Sequence, residues 1–194
     1  MQGHACGRPG GIRQKVAGSG GPPGGEDGTV MAPRKASPDQ LSRWGKEIAA
    51  MEAGVRRAQD MCPDKDVTID PARGEIYDFE IPDQCLRAFL EYSRDGIAVY
   101  VIATIDNKYG ISDYLRAGYV DLLEAGVGAY AGIWHDPESH VTYTDSVRII
   151  GEAMDDEDIR SLMFLYEQRS ASKLVPERDE KGNIIGAGMM LVDK

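Results

Sequence analysis

The sequence predicts an α+β fold: a split βαβ (ferredoxin-like) core preceded by a helix, a β-hairpin and a short helix. Three observations carry that expectation. From residue 97 onward the apolar pattern runs strand, helix, strand, strand, helix, strand, the element order of the split βαβ motif. Residues 97–105 are apolar on both alternation faces, as in a strand buried on two sides. The two helices of such a core cover only one face of its sheet, so part of the 37–94 segment has to cover the other.

The elements follow in order. Ser37-Pro38-Asp39-Gln40 is a helix start: a Ser N-cap, Pro at the first helical position, an acid in the first turn and Gln where a capping box needs it. Leu41, Trp44, Ile48, Met51 and Val55 then recur at alternating spacings of 3 and 4, an apolar seam on one helix running to about residue 61. Cys62-Pro63-Asp64 ends it. The seam has two uses. It packs on the domain's own sheet, or it pairs with a helix of a partner or of a second copy, which makes those five residues a candidate interaction surface. Residues 67–69 and 75–81 read as a hairpin around the turn Asp70-Pro71-Ala72-Arg73-Gly74. Residues 82–94 form a short helix with Leu86, Phe89 and Leu90 as its stripe.

In the core, the strand 97–105 is followed by a loop and a helix capped by Ser112, with Tyr114, Leu115, Tyr119, Leu122 and Leu123 on its inner side. Residues 129–134 and 141–150 are strands joined by a turn at 135–140, where Asp precedes Pro. Asp155-Asp156-Glu157-Asp158 opens an acid-fronted helix with the stripe Ile159, Leu162, Met163, Leu165 and Tyr166, and with Arg169 and Lys173 at its cation-favouring end. Residues 173–180 read as a charged loop, and 184–192 as the fourth core strand. Gly186 and Gly188 in that strand suggest a bulge or a close backbone approach rather than a nucleotide loop.

Residues 1–36 stand apart as a Gly/Pro-rich tail that cannot bury enough apolar surface to offset the entropy of ordering. Met31-Ala32-Pro33 is an alternative start of the chain. The rest, 37–194, reads as a single domain. Its charge is strongly acidic. The whole chain of 194 residues carries −10. The first 35 residues hold five cations against two carboxylates, so +3 sits there and −13 on the body. Such a surface disfavours direct nucleic-acid and anionic-membrane binding, which need basic groups to displace counterions. It favours a basic protein partner over an acidic one. Three cysteines, 6, 62 and 85, are too far apart for a cysteine zinc site or a disulfide framework. With no signal-like segment at the start, a cytoplasmic location is expected.

One end of the expected sheet gathers polar chemistry. In a split βαβ the exit loop of the first strand and the turn after the second lie together. That places Asp106, Asn107 and Lys108 near His135, Asp136, Glu138 and His140. Carboxylates with imidazoles suit divalent-metal ligation or general acid–base work, with His135 and His140 as the metal candidates. The same residues also make an ordinary polar turn. Asp145 falls on the inward alternation face of its strand, with Val141, Tyr143, Val147 and Ile149. An inward carboxylate is either paired, with Arg148 or Arg169 as candidates, or functional. No phosphate-loop or nucleophile-elbow pattern occurs.

Trp134-x-Asp136-Pro137-Glu138-Ser139, then Tyr143-x-Asp145, then an acidic helix ending near Gln168 resembles small uncharacterised open reading frames of phages and plasmids, over about residues 128–170. No activity comes with that resemblance; it implies an accessory protein of mobile-element origin. The expected function is therefore non-catalytic protein–protein interaction, with an unknown protein or a second copy of the chain as partner and no cofactor. The alternatives are a small metal-assisted hydrolase or phosphoryl-handling domain, and a ligand-sensing domain.

Overall fold

The computed structural model describes residues 35–194 apart from 94, 95, 106, 109, 137, 152 and 153. The tail expected at the start of the chain falls, but for its last two residues, outside the described residues, as does Asp106. The elements are α1 (Pro38–Arg43), α2 (Gly45–Met61), β1 (Val67–Asp70), β2 (Glu75–Asp78), α3 (Pro82–Phe89) with a 3-10 turn at Leu90–Tyr92, β3 (Val99–Ala103), α4 (Asp113–Glu124), β4 (Ala129–His135), β5 (Thr142–Ile150), α5 (Asp156–Leu165), β6 (Ser170–Arg178) and β7 (Ile184–Asp193). The fold is α+β, with one seven-stranded sheet in the order β2-β1-β4-β5-β3-β6-β7. Every pairing between neighbouring strands is antiparallel. It follows that β3 and β4 run parallel to each other with β5 antiparallel between them.

The local signals place the helix starts. Ser37 accepts from the Gln40 N–H while the Gln40 side chain accepts from the Ser37 N–H, completing the capping box. Ser112 caps α4 by accepting the Leu115 N–H, and Asp155 caps α5 with a second capping box, closed by Asp158. At the hairpin turn Gly74 has φ of +67°, a conformation that costs glycine little. The expected single helix over 37–61 is two, broken at Trp44, whose backbone leaves the helical region at ψ 18°.

The core has three parts. α2 and α4 pack Ile48, Met51, Val55, Leu115 and Tyr119 on Val67, Ile69, Ala131 and Ile133 of β1 and β4. α3 packs Cys85, Leu86 and Phe89 against the opposite face, on Val99, Val101, Tyr130, Val147 and Leu174. α5 sets Ile159 and Met163 on Tyr100, Ile102, Ile150, Ala171 and Val192. Strand alternation places Ser146, beneath α4, on the same face of β5 as Ile150, beneath α5. So α2, α4 and α5 share one face and α3 takes the other. The two described cysteines, Cys62 and Cys85, are buried and are not joined to each other.

Four expectations are corrected. The seam of Ile48, Met51 and Val55 is core, with Met51 and Val55 fully buried; Trp44 is half-buried against it, and only Leu41 is exposed. Ile48, Met51 and Val55 are therefore committed to the domain's own core rather than to a partner. Residues 170–178 are a strand rather than a loop, and they, not 184–193, pair with β3. Leu174 is the last partner of β3, so Pro176 lies beyond that ladder, where its missing N–H breaks no bond. Lys173 does not serve the end of α5 but its beginning: its Nζ lies 2.8 Å from Asp156 Oδ1, which also accepts from Tyr100 at 2.9 Å. Leu165 leaves the buried stripe of α5 and is 72% exposed, beside Phe164 at 74%. The bulge expected near Gly186 is present as a register shift at Glu177/Arg178.

Gly151 sits against the Tyr92–Ser93 backbone, bridging to Ser93, and a Cβ there would overlap the Tyr92 carbonyl. Gly151→Ala should lower unfolding free energy by about 1–3 kcal/mol in urea titrations, the usual cost of overpacking. Gly45→Ala, with open space around the new methyl, should be neutral or slightly stabilising.

Candidate functional site

The loop that leaves β3 folds back on the start of β5. Asn107 N–H donates to Asp145 Oδ1 at 2.9 Å, and Thr144 N–H donates to the Asn107 carbonyl at 2.9 Å. The Asn107 side chain, 2% exposed as a residue, plugs the loop. Its Nδ2 donates to the Thr144 and Gly110 carbonyls, and its Oδ1 accepts from Ser112 Oγ at 3.0 Å. Ser112 in turn caps α4. On the other side, Trp134 Nε1 donates to Asp145 Oδ2 at 2.6 Å. Trp134 stacks on Tyr143 with ring centroids 4.3 Å apart and planes 8° apart, and Lys108 Nζ lies 5.7 Å from the Tyr143 centroid.

Asp145 is fully buried with both oxygens held by N–H donors. That is the arrangement of a brace, tying the helix α4 start, the β3 exit loop and the β4–β5 hairpin together. It is not the arrangement of an acid open to substrate. The inward orientation of Asp145 is as expected from strand alternation. Its hydrogen bonds to Trp134 and Asn107 were not in the expectation. The signal that was available is the sheet register, which sets Trp134 opposite Tyr143 and two pairs from Asp145, on the same face. Arg148, one of the two arginines considered for Asp145, donates instead to Tyr166 Oη at 3.3 Å.

The turn beyond is self-contained. Asp136 accepts from Glu138 N–H at 2.9 Å and from Ser139 Oγ at 2.6 Å. These bonds, Ser139 first, hold the Asp136 carboxyl below its ordinary range. His140 takes a positive φ of 57° at the turn's end, and its N–H donates to the Asp136 carbonyl. His135 faces β1: its Nδ1 is 3.0 Å from Asp66 Oδ1 and its Nε2 is 3.1 Å from the Pro63 carbonyl. Both ring nitrogens of His135 are thus engaged away from His140. Among the described residues no group of three or more His, Cys, Asp or Glu is placed to hold a metal ion. The structure brings Asn107, Lys108, Trp134, Tyr143 and Asp145 together; it does not bring His135, Asp136, Glu138 and His140 into one ligand set.

The apolar surface lies elsewhere, on the edge strand β7. Ile185, Met189, Met190 and Leu191 are exposed by 63%, 42%, 57% and 57%. No charged residue occurs from Ile184 to Val192. The free edge is closed at both ends by its own protein. Asp83 Oδ1 on α3 accepts the Ala187 N–H at 2.6 Å, and Arg160 Nε donates to the Asp193 carbonyl at 3.0 Å. Lys194 N–H points back to the Arg169 carbonyl. Alternation then turns the backbone groups of Met189 and Leu191 outward between the two closures. The opposite edge, β2, is four residues long, carries Glu75 and Asp78, and has Lys65 bonded to Asp78 at 2.7 Å. A short charged edge resists strand addition; a long neutral one invites it.

No family model, no curated protein and no solved structure matches this chain. Among the described residues no helix is long and apolar enough to cross a membrane.

Two predictions follow from the brace and the turn. Asp145→Ala strands the Trp134 and Asn107 N–H donors and should cost about 2–4 kcal/mol in urea unfolding followed by tryptophan fluorescence. Ser139→Ala should move the Asp136 titration midpoint upward, read by carboxyl-carbon NMR. Because the folded value is lowered, the turn's stabilisation is present above the ordinary aspartate range and is lost as pH falls through the lowered midpoint.

Proposed function

We propose that this protein is a non-catalytic interaction domain that works as a symmetric pair, two copies joined antiparallel through β7. The observation that supports it is the open window at Met189 and Leu191, between the Asp83 and Arg160 closures, on a strand with exposed apolar side chains on both faces.

A twofold axis at Met190 sets Met189 of one copy opposite Leu191 of the other, twice over. Those residues carry the outward backbone groups, so both are hydrogen-bonding pairs of an antiparallel ladder. Met190 meets its own copy in the close, non-hydrogen-bonded position, where side chains pack best. Methionine suits a self-packing contact because it is unbranched and adapts its shape. Charge favours the same choice of joint. Chains of −10 repel one another, and the uncharged strip from Ile184 to Val192 brings no like charges face to face. Added salt screens the remaining repulsion, so pairing should strengthen with ionic strength, the reverse of an acidic protein gripping a basic groove.

We also read β3–α4–β4–β5–α5–β6 as a split βαβ unit. The parallel β3 and β4 on either side of β5, and α4 and α5 on one face, support that reading. β7 is then an addition to the unit, and it supplies the surface. The acidic body faces outward from the pair, where a basic protein surface is the partner its charge suits.

Sedimentation velocity at up to about 100 µM tests the pairing, since a Kd of order 10 µM leaves most of the chain paired there. A dimer is expected, with its Kd raised roughly 30-fold or more in Met190→Lys/Leu191→Lys, the cost of losing about 2 kcal/mol at an interface hot spot. A monomer at every concentration, or a dimer indifferent to the double substitution, overturns the proposal.

A further inference from the structure

A cleft of about 470 Å³ lies on the side of the sheet away from β7, between the start of α2, the β1–β2 turn and the first residues of β4. Tyr92, Tyr119 and Tyr130 line it, with Asp70 and Glu47 and, exposed to solvent, Lys46 and Arg73. The Tyr92 and Tyr130 hydroxyls hydrogen-bond to each other at 2.7 Å, which fixes one wall. Gly128 lets that wall close: a Cβ there would stand 2.7 Å from Tyr92 Oη.

Asp70 sets the character of the interior. Its residue is 4% exposed. One oxygen accepts the Arg73 N–H at 3.0 Å; the other is 3.9 Å from Arg73 Nε, beyond hydrogen-bond distance. Arg73 is committed elsewhere, its Nη2 bonded to Glu91 at the rim, and its side chain is 45% exposed. The arginine charge is therefore screened by solvent while the aspartate charge is not. Burial raises the pKa of both Tyr119 and Tyr130, and the Tyr92 hydroxyl adds to it at Tyr130; the charge of Asp70 acts on both in the same sense, with Glu47 adding at Tyr119 and Arg73 opposing at Tyr130. The buried carboxylate of Asp70 attracts a cation among the tyrosines more strongly than the exposed, solvent-screened Lys46 and Arg73 repel it, and with Glu47 it disfavours a carboxylate in the same place.

We infer that this cleft is a binding site for a small organic ammonium ion, its charged nitrogen on Asp70 between Tyr119 and Tyr130 and its hydrocarbon part along Leu123 and Ala50. This site is separate from the β7 edge and does not depend on pairing.

Amide NMR of the full chain, titrated with n-butylammonium chloride, tetramethylammonium chloride and sodium butyrate, tests it. Saturable shifts of Ala72, Gly128 and Ala129 are expected with at least one ammonium salt and none with butyrate. Asp70→Asn, which keeps the size of the side chain and an acceptor for the Arg73 N–H, should weaken ammonium binding about tenfold or more. Glu47→Gln, at the start of α2 and away from the core, should weaken it severalfold and carries the test where Asp70→Asn does not fold. Absence of saturation by both ammonium salts, equal binding of butyrate, or binding unchanged in the folded variants overturns the inference.

Discussion

Two-sided burial of the central strands is the constraint on which the rest of this structure depends. β3 turns Val99 and Val101 to α3 and Tyr100 and Ile102 to α5, and β5 divides Val147 and Ile149 from Ile150 in the same way. A strand apolar on both faces has no stable place at the edge of a sheet or against solvent. It has to be covered twice, by helices that come from different parts of the chain. That requirement brings α3, which precedes the core in sequence, across to the face left open by α4 and α5. It also leaves β2 and β7 at the edges.

Polar groups then settle where the ladders end. At one end of the sheet the β3 exit loop runs irregularly, and its backbone groups need partners. Asp145 and Asn107 supply them and pass the contact on to Ser112 and Trp134. At the α5 start, Asp156 joins Tyr100 and Lys173. On α2, Glu52 takes Arg56 and also Arg116 of α4, linking two helices on the same face. These are contacts that hold elements in place. Two surfaces with room to do more are the neutral edge of β7 and the tyrosine-lined cleft, on different sides of the sheet.

Much of the candidate site was visible in the sequence as placement and little of it as chemistry. That the 106–112 loop and the 135–140 turn, with the start of the strand after it, share one end of the sheet follows from element order, and the Asn107–Asp145 bond is the outcome. That His135 turns to Asp66 and Pro63 does not follow from it, because Asp66 belongs to the hairpin, whose place beside β4 is a long-range choice. The helical seam shows the same limit. Its spacing was right, yet spacing says only that one face is apolar; Met51 and Val55 face β1, β4 and α4, and nothing local distinguishes those from a partner's surface.

The sequence by itself determined what nearest neighbours along the chain decide: the caps at Ser37, Ser112 and Asp155, the Gly74 turn, the two-sided apolar run at 97–105, and the acidic charge. Tertiary structure alone decided which strand lies beside β3. Residues 170–178 mix Lys173, Pro176, Glu177 and Arg178 with three apolar positions, so they carry no strand period. They become a strand because β3 offers an unpaired edge and α3 and α5 offer apolar cover to Leu174 and Ala171. Residues 184–193 carry the stronger apolar pattern and end at the rim, since β6 takes the central place and leaves them only one neighbour. Pattern strength measures how much apolar surface a segment brings; which surface receives it is settled by every other segment at once.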